Sequence, residues 1–562
     1  TLDTNAASGG SQADTQTVGT AFAVRVTLFD AFGNAASNFN GSPTVTWTTT
    51  AGSSPNATAP TLPSNTTRAF TSGVLQLPGF TMAAAESGRT VSAALSGAAT
   101  VSATPSNTFT VVPSTPASVL VSVLDTNDAS GGSETDTVKA GTPFAVRVTV
   151  LDALGNVATN FNGSPTVTWT TTSGNAPDST APTLPSNTTR DFTEGVLQLP
   201  GFTMTAAQTG RTVSAALSGA ATVDATASNT FTVTSTEVAA ELVLTVPPGD
   251  LEASTQRTFT TTILDEYGNT VTTGSHSTLM VTLIYDPEET STGTIGATPP
   301  WQSPAVAGVS TIQMTGHQVG DVYLVTTTSS PALTSNSVMV TVVEGVATHY
   351  HVRILDPAGN GVTDPTSTLV AGQPFSVRLY FMDAHTNMAG NVNEDFRVVW
   401  TVMSGDGVSP GGVDPEWPSS EAVLEVRNGY AIIPGFMLPK AESGQRLRAT
   451  LYAASDTGLT TPLYPQSEEV PYRDSDQLLT IRHAAADHLV TVAPVAAQVA
   501  GQPFDLVSVT AHDQYGNLAD GANGATAYAG SKTLTYTLSG ASHGPVSGTD
   551  SFTTSVTFAA GV

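Results

Sequence analysis

The sequence contains no cysteine. That excludes disulfides, thiolate metal centres, cysteine nucleophiles and haem-attachment motifs. If secreted, such a chain is held by core packing alone. Positive charge is also scarce: 18 Lys and Arg stand against 45 Asp and Glu, a net charge of −27. No basic stripe exists to neutralise phosphates, so no nucleic acid partner is expected, and anionic membranes are disfavoured. Charged residues total only 11%, against about 25% in ordinary soluble domains. Thr, Ser, Asn and Gln must therefore supply the polar surface. No apolar run approaches the ~18 residues of a membrane-spanning helix, so no membrane insertion is expected in this segment. Gly-x-Ser-x-Gly, His-Glu-x-x-His and phosphate-binding glycine loops are missing too, which argues against an enzyme and leaves no catalytic or cofactor-binding residue to name.

What is present is turn chemistry and repetition. The chain has 562 residues with 50 Gly and 35 Pro, a length suited to about four to six domains. A shift of 122 residues places Leu2-Asp3-Thr4-Asn5 on Leu124-Asp125-Thr126-Asn127. The same shift places Phe22 on Phe144, Trp47 on Trp169 and Pro78-Gly79-Phe80 on Pro200-Gly201-Phe202. Roughly three-quarters of the aligned positions are identical up to about residue 112, the mark of a recent duplication. Diverged copies carry a marker of Asp, two residues, then Gly-Asn, at Asp30–Asn34, Asp152–Asn156, Asp265–Asn269 and Asp513–Asn517. Asp383–Asn387 is the same turn without the glycine. A second marker reads Ala140-Gly141-Thr142-Pro143-Phe144, Ala371-Gly372-Gln373-Pro374-Phe375 and Ala500-Gly501-Gln502-Pro503-Phe504.

Within a copy the hydrophobic period is two. Phe144, Val146, Val148 and Val150 alternate with Ala145, Arg147 and Thr149, as in a strand with one buried face. In the second copy, strands are predicted around 117–124, 142–152, 164–171, 191–199, 202–206, 211–218 and 228–235. Seven short strands separated by turn signals predict an antiparallel β-sandwich. Trp47, Trp169 and Trp400 each lie 17 residues after their marker aspartate. They are expected to be the buried tryptophan of the third strand, surrounded by aliphatic side chains. In the fifth copy the phenylalanine stands one residue further from its aspartate, which predicts a bulge near Asp505 that keeps Phe504 inward. The Asp-x-x-Gly-Asn marker predicts a tight turn.

The Ala-Gly-x-Pro-Phe strand followed by Asp-x-x-Gly-Asn resembles tandem bacterial immunoglobulin-like domains of the invasin/intimin-like, "Big" type, over essentially the whole chain. The resemblance implies an all-β array of five immunoglobulin-like sandwiches. Their expected spans are 1–114, 115–236, 237–344, 345–486 with longer loops, and 487–562. Thr1 aligns with Val123, inside a first strand, and the last copy stops before its final strands. The first and last modules are therefore expected to be incomplete, either as one stretch of a longer polypeptide or with a neighbour's strand completing them.

The acidic turn after the second copy's first strand is the one metal candidate. Asp125, Asn127, Asp128 and Asp136 offer hard oxygens in a glycine-rich turn, as calcium requires. Asp3 and Asn5, and Asp356, Asn360 and Asp364, are its weaker counterparts. His349 and His351 share a strand face but lack a third zinc ligand. Glu288-Glu289, Glu394-Asp395 and Glu468-Glu469 read as solvated loop carboxylates. The 404–418 loop and the 464–476 segment of the fourth copy are the expected recognition sites, since loops carry recognition. Asn40, Asn56, Asn65, Asn162 and Asn187 open glycan-acceptor triplets.

The expected function is structural: a rigid stalk or fibre-forming segment of an extracellular protein at a bacterial cell surface. Its partners would be other copies of itself or neighbouring modules. The alternatives are an adhesive array binding glycans or host or cell-surface proteins, and the accessory region of a larger secreted enzyme.

Overall fold

The computed structural model describes residues 5–296, 301–355, 368–403, 406–464, 473–475, 478–499, 502–537 and 551–562. Asp3, Asp356, Asn360, Asp364, Glu468, Glu469, Ala500 and Gly501 lie outside the described residues, as do parts of the 404–418 and 464–476 segments.

Period-two alternation in the second module becomes two stacked sheets. Phe144–Asp152 lies between Pro116–Val123 and Val196–Phe202, antiparallel to both. The facing sheet runs Thr188–Thr189, Thr166–Thr171, Val213–Ser218, Val223–Ala227. Val119, Val121, Val123, Val146, Val148 and Val150 are all buried between them. Fully burying one such side chain contributes about 1.5–3 kcal/mol, so the alternation alone drives the layers together. One short pairing departs from the antiparallel expectation. Thr137–Lys139 runs parallel to Phe231–Thr234, and the same parallel pair recurs as Thr15–Thr17 with Thr110–Val112 and Thr368–Val370 with Leu479–Arg482.

Two predicted strands, 191–199 and 202–206, are one strand, Val196–Phe202, which runs straight through Pro200-Gly201. The register slips there: Phe144 faces Phe202, but Val146 faces Leu199. The extra residue is a β-bulge, and Gly201 takes φ +92°, a conformation glycine alone adopts without strain. The same slip sits at Pro78-Gly79 and Pro434-Gly435. Val223–Ala227 was not legible because it is a mostly exposed edge strand without an apolar face.

Trp47, Trp169 and Trp400 are buried at 3–4% exposure in the equivalent strands Thr44–Thr49, Thr166–Thr171 and Asp395–Val402, the last two being the fourth described strand of their modules because a short parallel strand precedes them. Aliphatic side chains surround them, as expected, and one aromatic partner is added to these. Each meets the phenylalanine of the Pro-Gly-Phe bulge edge-on, at centroid distances of 4.9 Å to Phe80, 4.9 Å to Phe202 and 4.8 Å to Phe436. The bulge turns that phenylalanine inward, an effect no local pattern announces.

The third module is built on a four-stranded sheet (Glu241–Thr245, Gln256–Leu264, Val309–Gln318, Thr294–Ile295) facing a larger one centred on Gly320–Ser329 and Met280–Tyr285. The fourth repeats the second module's pattern around Phe375–Met382 and Asp395–Val402. Asp395 thus opens a strand and is not in a loop. It pairs with Arg427 at 2.8 Å. In the fifth, Ala486–Val492 pairs with Ser508–Asp513, and Gly530–Thr537 with Ser551–Phe558. The bulge expected near Asp505 is absent. Residues 503–506 are non-strand and Phe504 is half exposed. The described residues there include no partner strand like Val196–Phe202 to hold the ring inward. Among the described residues the helices are two short 3-10 turns, and none is long and apolar enough to cross a membrane.

Candidate functional site: the junctions between modules

The Asp-x-x-Gly-Asn marker is a tight turn, as its residues predict. Asp152 Oδ1 accepts the backbone amides of Leu154 and Asn156, both at 2.9 Å. Its asparagine also reaches into the preceding module. Asn156 Nδ2 donates to the Ala83 carbonyl at 3.0 Å, and its Oδ1 accepts from the Ala85 amide at 2.9 Å. The carboxamide thus satisfies one carbonyl and one amide two residues apart, as a strand neighbour would.

This clamp recurs at every junction. Asn269 holds the Thr205 carbonyl and the Ala207 amide, both at 2.8 Å. Asn387 holds the His317 carbonyl at 2.6 Å and the Val319 amide at 3.0 Å. Asn517 holds the Pro439 carbonyl and the Ala441 amide, both at 2.8 Å. Bonds to a buried amide are costly to leave unmade, and Asn156, Asn269 and Asn517 are buried.

The aspartate serves the linker. Its second oxygen accepts a linker amide at each junction: Ser114 on Asp152 at 3.2 Å, Thr236 on Asp265 at 3.0 Å, Gly345 on Asp383 at 3.0 Å and Ala484 on Asp513 at 2.9 Å. All four carboxylates are buried. At Asp383 burial works to raise the pKa, but bonds from the Asn387 side chain and from the Gly345, Asn387 and His385 amides outweigh it. The carboxyl stays below its ordinary value.

The residue two after the aspartate is a knob. Tyr267 lies against Gly141, and Tyr515 against Gly372, so that a Cβ on either glycine would collide with the ring. Burial pushes the Tyr267 phenol above its usual pKa, with Glu266 adding to the shift. The glycine of Ala-Gly-x-Pro-Phe therefore makes room for the next module. The backbone beneath the knob is held as well: Asn56, Asp178 and Gly411 donate their amides to the carbonyls of Leu154, Tyr267 and Tyr515 at 3.3, 3.2 and 2.8 Å. Gly411 belongs to the 404–418 loop, so that expected recognition loop contributes one of its residues to a junction. At the third junction the knob is His385, stacked on His317.

The metal candidates are placed as follows. Asp125 Oδ1 accepts the Ser133 amide at 2.8 Å, and Asp128 Oδ2 accepts the Thr126 hydroxyl at 2.7 Å. Asn127 Oδ1 accepts the amide of the bulge glycine, Gly201, at 2.8 Å. The Asp136 carbonyl accepts the Thr232 amide at 2.8 Å. Among the described residues no three His, Cys, Asp or Glu come together as a metal site. His349 and His351 lie 5.2 Å apart, with His351 stacked on Tyr380. The glycan-acceptor asparagines have structural duties. Asn65 and Asn187 accept the amides of Trp47 and Trp169, at 2.9 and 3.0 Å, and Asn40 and Asn162 accept those of Ser72 and Glu194, both at 3.0 Å.

The strand order and the buried tryptophan define the class: a tandem array of immunoglobulin-like β-sandwiches. No family model matches the chain, and no curated protein matches it. Solved structures do. The Escherichia coli adhesin FdeC aligns with 65% of this chain and 98% of its own at 14% identity, with a TM-score of 0.32. Invasin, a bacterial integrin-binding protein, aligns over 84% of this chain and 82% of its own at 16% identity and TM-score 0.27. Domains 1–6 of the surface layer protein SbsC align over 84% and 53% at 14% identity and TM-score 0.20. The fold assignment rests on the strand pairing and not on these superpositions.

Proposed function

We propose that this chain is a structural repeat region of an extracellular bacterial surface protein, a stiff stalk or fibre-forming segment. The observation that carries this reading is the junction clamp, repeated four times with the same atoms. A flexible string of binding modules needs no such bonds. A load-bearing rod does, because each unfixed linker would add a hinge. Small-angle scattering of the full chain tests the reading, against a variant with Asn156, Asn269, Asn387 and Asn517 all changed to Ala. The parent should scatter as an extended, stiff particle, and the variant should be shorter on average and flexible. Equal scattering from the two, or a flexible parent, would refute it.

The same reading makes the chain non-enzymatic, with neighbouring modules as its first partners. Calcium at Asp125, Asn127, Asp128 and Asp136 is proposed on the hard oxygens of that turn. Millimolar calcium should then raise the unfolding temperature of the parent but not of the Asp125→Ala variant.

A further inference from the structure

The third junction is built unlike the other three. Elsewhere the socket residue of one module and the residue before the clamp asparagine of the next are both glycines: Gly19, Gly141 and Gly372, and Gly155, Gly268 and Gly516. All six have positive φ, from +71° to +85°. At the third junction the same positions hold Ser254, at φ +71°, and Thr386, at φ +66°. Ser254 is the true counterpart of the sockets. Its amide donates to the Gly316 carbonyl at 2.8 Å, as Gly141 donates to Met204 at 2.8 Å and Gly372 to Leu438 at 3.0 Å. Two side chains therefore stand here in a backbone conformation that favours glycine.

Those side chains remove contacts. A Cβ on Gly155, Gly268 or Gly516 would meet the preceding module at Asn56, Pro177 or Gly411, at 2.6, 3.2 and 2.6 Å. The loop whose amide holds the knob carbonyl thus approaches closely only over glycine. At Thr386 that bond is missing: among the described residues no amide donates to the His385 carbonyl. Ser254, with its own Cβ, gives no bed for a ring, and His385 stacks on His317 instead. Asn387 is half-buried where Asn156, Asn269 and Asn517 are buried. The first junction, where Leu154 leaves Gly19 open, still keeps Gly155 and the Asn56 amide.

What remains at the third junction is the Asn387 clamp, the Asp383 bond to the linker and the histidine stack. Clamp and stack share a residue. Asn387 Nδ2 donates to the carbonyl of His317, whose ring carries the stack. A force that parts the rings therefore pulls on the clamp.

We propose that the third junction is the hinge of the array, joining a three-module arm to a two-module arm, with the His317–His385 stack as a latch that acid releases. Charged groups on the elements meeting there are Asp383, Glu344, Glu252 and Asp321. Asp383 accepts the Gly345, His385 and Asn387 amides, and Asp321 accepts the Thr341 hydroxyl at 2.8 Å. Burial and the charge of His385 hold His317 below its ordinary value, with no carboxylate opposing them. The open junction thus takes up a proton more readily than the closed one, and acid shifts the population towards it. The inference rests on the stiff-rod reading for the other three junctions.

The absence of native cysteine makes the test direct. Pairs of cysteines replace exposed threonines of the full chain: Thr168 and Thr311 across the second junction, Thr311 and Thr401 across the third, Thr401 and Thr557 across the fourth. Spin labels on each pair give a distance distribution by pulsed dipolar spectroscopy. At pH 5 the distribution across the third junction should be about twofold or more broader than across the others, and it should narrow at pH 7.5, as for a hinge whose latch closes. His317→Phe should keep it narrow at pH 5, and Asn387→Ala should broaden it at both pH values. Equal widths at all three junctions at pH 5, or a third-junction width that ignores pH, would overturn the latched hinge. Broad distributions across the second and fourth junctions at pH 7.5 would instead overturn the stiff rod.

Discussion

His317 and His385 stack across the third junction with ring centroids 4.1 Å apart and planes 22° from parallel. Both are half-buried. Burial lowers the His317 pKa below 6.5, and His385 lowers it further. The docked state therefore favours neutral His317, and the undocked or unfolded chain takes up the proton first. The contribution to stability is complete above about pH 6.5 and declines as pH falls to the depressed folded-state value. Hydrogen exchange at 317–319 and 385–387 should be several-fold faster relative to the other junctions at pH 5 than at pH 7.5. The His317→Phe variant, which removes the titrating group, should lose most of that difference.

The glycine of the Ala-Gly-x-Pro-Phe marker should be coupled to the tyrosine of the next module. Gly372 has φ +76°, and an added Cβ would strike Tyr515. Gly372→Ala should cost about 1–3 kcal/mol from strain and overlap together. In a Tyr515→Ala background the overlap vanishes and only about 1 kcal/mol of strain remains. A double-mutant cycle on the unfolding of the fourth and fifth modules measures the difference.

The buried aspartates should matter more than the exposed one. Asp383→Ala leaves the Gly345, His385 and Asn387 amides without their acceptor, a loss of about 3 kcal/mol for a buried charged acceptor. Asp30→Ala, in the exposed first turn, should cost clearly less. Asp383 is held below its ordinary value of 3.8, so its contribution is complete above that value and is lost as pH falls through the lower folded-state value. Thermal unfolding of both variants from pH 7 to pH 2 checks the ranking and its loss in acid.

Trp169→Ala should cost about 3–5 kcal/mol and unfold the second module before its neighbours. Trp169→Phe should cost less than half of that, because the indole NH is buried without a hydrogen-bond partner and the aromatic contact with Phe202 can be partly kept. Calorimetry of the two variants separates the volume lost from the polar group removed.

Much of this protein is written in short-range pattern. Val146, Val148 and Val150 alternate, Asp152 and Asn156 flank a turn, and the 122-residue repeat shows itself without any structure. Those signals act over two to five residues, or by simple identity, so the sheets, the turns and the buried tryptophans could be read from residue order. What the tertiary structure alone decided is the second use of the same residues. Asn156 meets Ala83 across 73 positions of sequence, and Gly141 makes room for Tyr267 of another module. The phenylalanine that packs on Trp169 arrives there through a bulge. A hydrogen bond or a steric vacancy depends on where the chain returns in space, and that return is set by the packing of whole sheets, not by any local run of side chains.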